Sequence, residues 1–123
     1  MLDHVLGGGP DLERLVPLGS VVTCLPIVQE FLQGMREETA FRRAREMMLS
    51  LPIVESPLGE GVFREAIDLY RGARRAGFTI RSSIDCLIAA CAIRHDLDVL
   101  HVDRDYAALA RVSALRERKA LLR

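Results

Sequence analysis

Apolar and polar positions along the chain fall into alternating blocks of strand-like and helix-like period. Ser20-Val21-Val22-Thr23-Cys24-Leu25 is a β-branched run opened by Gly19, and it predicts a buried strand. Pro26 suits the first turn of a helix. Ile27, Val28, Phe31 and Leu32 give that helix an apolar face, and Gly34 ends it. Residues 37–49 are charged on one side and carry Phe41, Ala44, Met48 and Leu49 on the other, an amphipathic helix. Leu51-Pro52-Ile53-Val54 is a short strand or extended piece. Residues 61–76 return to helical period, with Val62, Ala66, Leu69 and Ala73 on one face and Arg64, Arg71, Arg74 and Arg75 outside it. Gly77 stops this helix. Ser82 or Ser83 can cap the next one, residues 84–94, which is apolar almost all round and therefore predicted to be central and buried. Residues 97–102 read as a strand with Asp103-Arg104-Asp105 at its carboxyl end, and Tyr106 to Ala110 begin another helix. Upstream, Gly7-Gly8-Gly9-Pro10 is a loop signal, and Asp11 can cap a short helix over residues 12–16. The basic tail, residues 116–123, is expected to extend into solvent.

Strands alternating with helices imply βαβ units and a mostly parallel sheet. Ligands of such sheets sit beyond the carboxyl ends of the strands, which is where Asp103 falls. The 123 residues fit one domain, 1–123, and half of them are hydrophobic, enough for a core without metal or disulfide staples. With four Phe, two Tyr and no Trp, that core is aliphatic. Cys24, Cys86 and Cys91 lack metal-ligand spacing and sit among apolar neighbours, so they are expected to be reduced core thiols. No signal peptide opens the chain and no apolar stretch approaches the roughly 18 residues of a membrane span, so a soluble, cytoplasmic protein is expected.

Net charge is zero, with 17 basic and 17 acidic residues, which excludes holding nucleic acid by bulk charge alone. The balance hides an asymmetry: residues 1–60 carry 5 basic and 9 acidic side chains, and residues 61–123 carry 12 and 8. Of the basic residues 16 are Arg, whose forked guanidinium grips phosphate as Lys cannot, although a GC-rich genome would produce the same bias.

Asp85 stands in the first turn of the nearly all-apolar helix. The helix N-terminal dipole favours a carboxylate there, so taken by itself Asp85 reads as a helix-start or capping residue, and it is the other acidic residues that shift the balance toward a site. Asp103 and Asp105 arrive after a strand, and Glu30 lies on the helix after the first visible strand. Carboxylates gathered at a strand-end rim repel one another, and they persist chiefly around a hard divalent cation. His4, His95 and His101 form no ligand pattern and are read as structural.

The run Thr79-Ile80-Arg81-Ser82-Ser83-Ile84-Asp85-Cys86-Leu87-Ile88-Ala89-Ala90-Cys91-Ala92, followed by Val99-Leu100-His101-Val102-Asp103-Arg104-Asp105-Tyr106, closely resembles the C-terminal half of PIN-domain ribonucleases. The likeness is strongest to the VapC-type toxins of bacterial toxin–antitoxin pairs. Val28-Gln29-Glu30-Phe31-Leu32-Gln33-Gly34 resembles their middle motif. The resemblance implies a PIN-like, Rossmann-like α/β fold with a parallel sheet flanked by helices, and Mg²⁺- or Mn²⁺-dependent endonucleolytic cleavage of RNA. It carries the catalytic set over to Glu30, Asp85 and Asp103, with Asp105 as an accessory metal ligand and Arg81, Ser82 and Arg104 as candidate RNA contacts. It also implies a homodimer and a VapB-like antitoxin, and the faces of the helices at 37–49 and 61–76 are the candidates for those contacts. Family members open with an apolar strand, central in the sheet, that ends in an Asp serving as the first metal ligand. Leu2-Asp3-His4 matches the short helix after that strand instead. The expectation is therefore a domain truncated at its N-terminus, lacking the central strand and its Asp.

Overall fold

The computed structural model describes residues 4–6 by their backbone and residues 21–101 and 103–119 in full. The elements run β1 (His4–Leu6), β2 (Val21–Val22), α1 (Leu25–Gln33), α2 (Glu38–Ser50), α3 (Glu60–Arg75), α4 (Ser83–Arg94), β3 (Asp98–His101), α5 (Arg104–Arg111) and β4 (Arg116–Lys119). The sheet order is β2-β1-β3-β4 and every pair is parallel. A single parallel bridge from Thr23 to Ile53 extends the sheet beyond β2, so the predicted strand around Ile53 is reduced to one bridging residue. Parallel strands need crossover connections: α1 to α4 carry the chain from β2 to β3, and α5 carries it from β3 to its neighbour β4.

Two N- and C-terminal expectations are corrected. The centre of the sheet is filled: β1 pairs with β2 through His4–Val21 and with β3 through His4–Asp98, where the sequence reading left no strand. A three-residue strand carries too little periodicity to be seen beside a glycine run. The basic tail does not leave the protein at Arg116. Residues 116–119 form the edge strand β4, because Leu115 is buried just before it and Arg116 is held by the carboxylates of Asp96 and Asp98. The predicted helix over 12–16 lies outside the described residues.

Local chemistry explains the helix ends. Cys24 is the N-cap of α1 and Pro26 sits in its first turn. Glu37 lies outside α2 and caps it, its carboxylate accepting the N–H groups of Thr39 and Ala40. After α3, Gly77 takes φ +91°, its N–H donates to the Arg74 carbonyl and the Phe78 N–H to the Ala73 carbonyl. This is a Schellman closure, and it fixes where Phe78 emerges. The same pattern ends α4, with Asp96 at φ 56° and the Leu97 N–H donating to the Ala92 carbonyl, and it launches β3.

The core lies between the sheet and the helices. Val62, Ala66, Leu69 and Ala73 are all buried, as their spacing predicts, and α4 is buried nearly all round. Val21, Val22, Ile27, Met48 and Val99 complete the centre. Leu49 departs from expectation and is 52% exposed. The three cysteines are free and buried, as expected.

Candidate functional site

The site forms where the starts of α4 and α5 converge at the carboxyl end of β3. Asp103 comes two residues after the last residue of the strand and serves as the N-cap of α5, its Oδ1 accepting the Asp105 N–H at 3.0 Å. That bond turns the first helical turn so that Asp105 points inward, where it is only 2% exposed. A buried carboxylate requires partners. Asp105 Oδ2 accepts the backbone N–H of Arg81 at 3.0 Å and of Ser82 at 3.3 Å. Ser82 is the N-cap of α4 and makes no side-chain capping bond; Asp105 instead holds the N–H groups of the cap residue and the residue before it, which ties α5 to the start of α4.

Asp85 faces the same point from the first turn of α4 and is also buried. Its Oδ1 accepts the Tyr106 hydroxyl at 3.0 Å, while its Oδ2 is buried with no hydrogen-bond partner. Asp85, Asp103 and Asp105 each bring one carboxylate oxygen within 4.8 Å of the others. Desolvation and then the adjoining Asp105 carboxyl, with the charges of Asp103 and Glu30 adding to them, push the Asp85 carboxyl up to about 7, against the Tyr106 hydroxyl, which favours the ionised form. Burial first, and then the Asp85 charge, raise the Tyr106 phenol well above its ordinary range, so it keeps its proton as a donor.

Glu30, half-buried on α1, stands outside this tight group. It shares the same field, its carboxyl raised by burial and then by the charge of Asp103. Arg81 offsets the negative charge, with Nη2 3.4 Å from Asp103 Oδ1 and Nε 3.9 Å from Asp105 Oδ1. Arg104 is exposed at the start of α5 and has no ion-pair partner among the described residues.

A second line of support, absent from the sequence reading, runs through His101. Its Nδ1 accepts the Asp103 N–H at 3.1 Å, so Nε2 carries the proton and donates to Glu117 Oε1 at 2.6 Å. The His101 ring also lies 4.9 Å from the Tyr106 ring. His101 is buried, as a structural histidine should be, and it braces both Asp103 and the tyrosine that bonds Asp85. Tyr106 and Glu117 gave no signal of their own, because their partners are 21 and 16 residues away in the chain.

All-oxygen donors that include an unpartnered, buried carboxylate oxygen fit a hard divalent cation such as Mg²⁺ or Mn²⁺. No acidic residue lies in β1, and Gly7 follows it in sequence, so that strand itself adds no carboxylate at its end.

A parallel α/β sheet with acidic side chains gathered at a strand end defines a class, and the family comparison agrees with it. Residues 10–112 match the PIN domain, and the chain belongs to the PIN-domain family. Within that family its relatives are VapC proteins. It is 38% identical over 96 residues to VapC ribonuclease Mb1587 of Mycobacterium bovis, covering 77% of this chain and 70% of that protein. The same figures hold for ribonuclease VapC11 of Mycobacterium tuberculosis. Among solved structures, the fold is similar to VapBC2 from Rickettsia felis bound to a promoter DNA fragment, with a TM-score of 0.72 at 17% identity over 95% of this chain and 98% of the other. It is also similar to VapBC-5 of Mycobacterium tuberculosis, with a TM-score of 0.70 at 21% identity over 98% and 100%. Among the described residues no helix is long and apolar enough to cross a membrane.

Proposed function

We propose that this chain is a metal-dependent endoribonuclease, the toxin of a type II toxin–antitoxin pair, acting in the cytoplasm as a single PIN-like domain. The observation that carries the reading is the convergence of Asp85, Asp103 and Asp105 around an unpartnered buried oxygen in a chain of VapC likeness. Asp85, Asp103 and Glu30 are the catalytic set, and Asp105 is the fourth metal-facing carboxylate. A bound Mg²⁺ or Mn²⁺ would neutralise charge on a phosphodiester and activate water for attack. The protein's own contribution is orientation. Tyr106 holds one oxygen of Asp85 and leaves the other free, while His101 and the α5 N-terminus hold Asp103 in place. Arg81 stands at the rim, 56% exposed, where its guanidinium can exchange a carboxylate for a phosphate; Ser82 and Arg104 flank it as RNA contacts.

The partners follow from the same reading: RNA as substrate, a VapB-like antitoxin, and a second copy of the chain. Incubating the protein with structured RNA and Mg²⁺ tests the activity. Mg²⁺-dependent cleavage is expected, with loss of about a hundredfold or more in Asp85→Asn. Cleavage unchanged by that substitution would overturn the assignment. Because β1 brings no carboxylate, a second reading has a specific basis: a PIN module that binds antitoxin or RNA without cutting. RNA binding with no cleavage in Mg²⁺ or Mn²⁺ would select it.

A further inference from the structure

A groove of about 440 Å³ opens beside the acidic cluster, between the segment that follows α3 and the exposed face of α5. Asp105, a member of that cluster, is among its lining residues, so the groove borders the candidate site. Its α5 wall is Arg104, Ala107, Ala108 and Arg111, residues of one helix face. The two small alanines leave a flat floor between two guanidiniums whose backbones are about 10 Å apart along the helix. The opposite wall is Phe78 and Thr79, with Phe78 fixed by the Schellman closure of α3. Arg111 lies over the Phe78 ring, its Cζ 5.6 Å from the ring centroid. Neither arginine is ion-paired with a carboxylate among the described residues, so both charges are available to a ligand.

This combination has a definite chemistry. A planar guanidinium backed by an aromatic ring is a surface on which an unpaired base stacks, whatever its identity. A free arginine beside it binds a backbone phosphate, and an exposed threonine hydroxyl offers a donor and an acceptor. The volume is within the range of small-molecule pockets. An acidic peptide would use the two charges but would leave the stacking surface without a partner. A duplex would use the charges too, but its bases are not free to leave the helix.

We infer that this groove is a nucleotide subsite, seating one unstacked base of single-stranded RNA on the Phe78–Arg111 pair while Arg104 holds the adjoining phosphate next to the acidic cluster. The inference rests on the ribonuclease reading and adds where one nucleotide sits: its base on the Phe78–Arg111 pair and its phosphate at Arg104.

Binding of a short fluorescein-labelled single-stranded RNA, followed by anisotropy in EDTA so that it is bound and not cut, tests the subsite. Arg111→Ala is expected to weaken binding about tenfold. Arg111→Lys, which keeps the charge and loses the plane, recovers only part of that loss. A series of RNAs with one abasic position moved along the strand supplies the decisive comparison. One abasic position should weaken binding to the wild type and cost little in Arg111→Ala, because the stacking partner is already gone. Equal abasic losses in both proteins, or full rescue by Arg111→Lys, would overturn the subsite and leave the ribonuclease reading standing. A wild-type protein that neither binds this RNA nor cleaves any RNA in Mg²⁺ would overturn both.

Discussion

Asp85 carries a local electrostatic cost that the acidic cluster imposes on it. One oxygen is satisfied by Tyr106, and the other is buried without a partner, beside two further carboxylates. Its carboxyl is raised from 3.8 to about 7, so between those values the folded state holds a proton that the unfolded state has released. Stability from this group is therefore fully present below about pH 4 and is lost as pH rises through about 7. In metal-free buffer the thermal midpoint of the wild type is expected to fall across that interval by more than that of Asp85→Asn. Above it, Asp85→Asn should be the more stable protein by roughly 5 °C. Addition of Mg²⁺ should stabilise the wild type and leave Asp85→Asn unmoved, since an ion that binds only the folded state raises its stability. Thermal melts at stepped pH, with and without Mg²⁺, check both halves; an Asp85→Asn protein that is less stable at every pH would contradict the cost assigned to this carboxylate. The sequence announces Asp85 only as a polar residue in an apolar helix. The free oxygen, the Tyr106 bond and the Asp105 neighbour are products of α5 folding against α4, and no local pattern encodes them.

At the level of elements, α3 has two stripes, and they differ in legibility. Val62, Ala66, Leu69 and Ala73 could be read from their spacing because they face the core. Phe63, Ile67 and Tyr70 form a second stripe at helical spacing, 45%, 57% and 38% exposed, interleaved with arginines that mask it as a solvated face. Together with Ile80 and Leu87 they line a groove of about 600 Å³ between α3 and α4. Apolar side chains left outside at regular spacing suit an interface, and this is the face on which the proposed homodimer would form. Ile67→Glu is expected to convert a dimer to a monomer by light scattering, with an unchanged far-ultraviolet circular dichroism spectrum. A wild-type monomer at micromolar concentration, or a dimer indifferent to Ile67→Glu, would move the interface elsewhere, α2 being the other candidate. Strand β4 marks the opposite limit of sequence reading. Arg116, Glu117, Arg118 and Lys119 show no apolar alternation, and the strand exists because β3 offers an edge and Asp96 and Asp98 offer ion pairs. Helices with a buried stripe are legible from their own residues; an edge strand made of charges is legible only from its neighbours.

For the whole molecule, zero net charge and an RNA substrate are compatible only if attraction is local. The basic excess of residues 61–123 is not spread evenly around the acidic cluster. Arg116 and Arg118 are engaged by Asp96 and Asp98, and Arg94 by Glu55, all on side chains away from the groove. Arg81 touches two carboxylates of the cluster, and Arg104 and Arg111 line the groove beside it, so two or three phosphates can be neutralised there. The dependence of binding on salt counts them, since each phosphate contact on a single strand contributes about −0.7 to the slope of log affinity against log salt concentration. The wild type should therefore show a shallow slope, about −2 or less steep, where a protein binding by bulk charge would be far steeper. Arg104→Ala should reduce the magnitude of that slope by about 0.7 and weaken every single-stranded RNA alike, because a phosphate contact carries no base preference. Arg111→Ala should differ in kind, with the greater part of its loss persisting at high salt, because stacking is not an ionic contact. Anisotropy titrations at stepped sodium chloride separate the two residues. An unchanged slope in Arg104→Ala would remove it from the RNA path, and a steep slope in the wild type would mean that the strand runs over basic surface beyond this site.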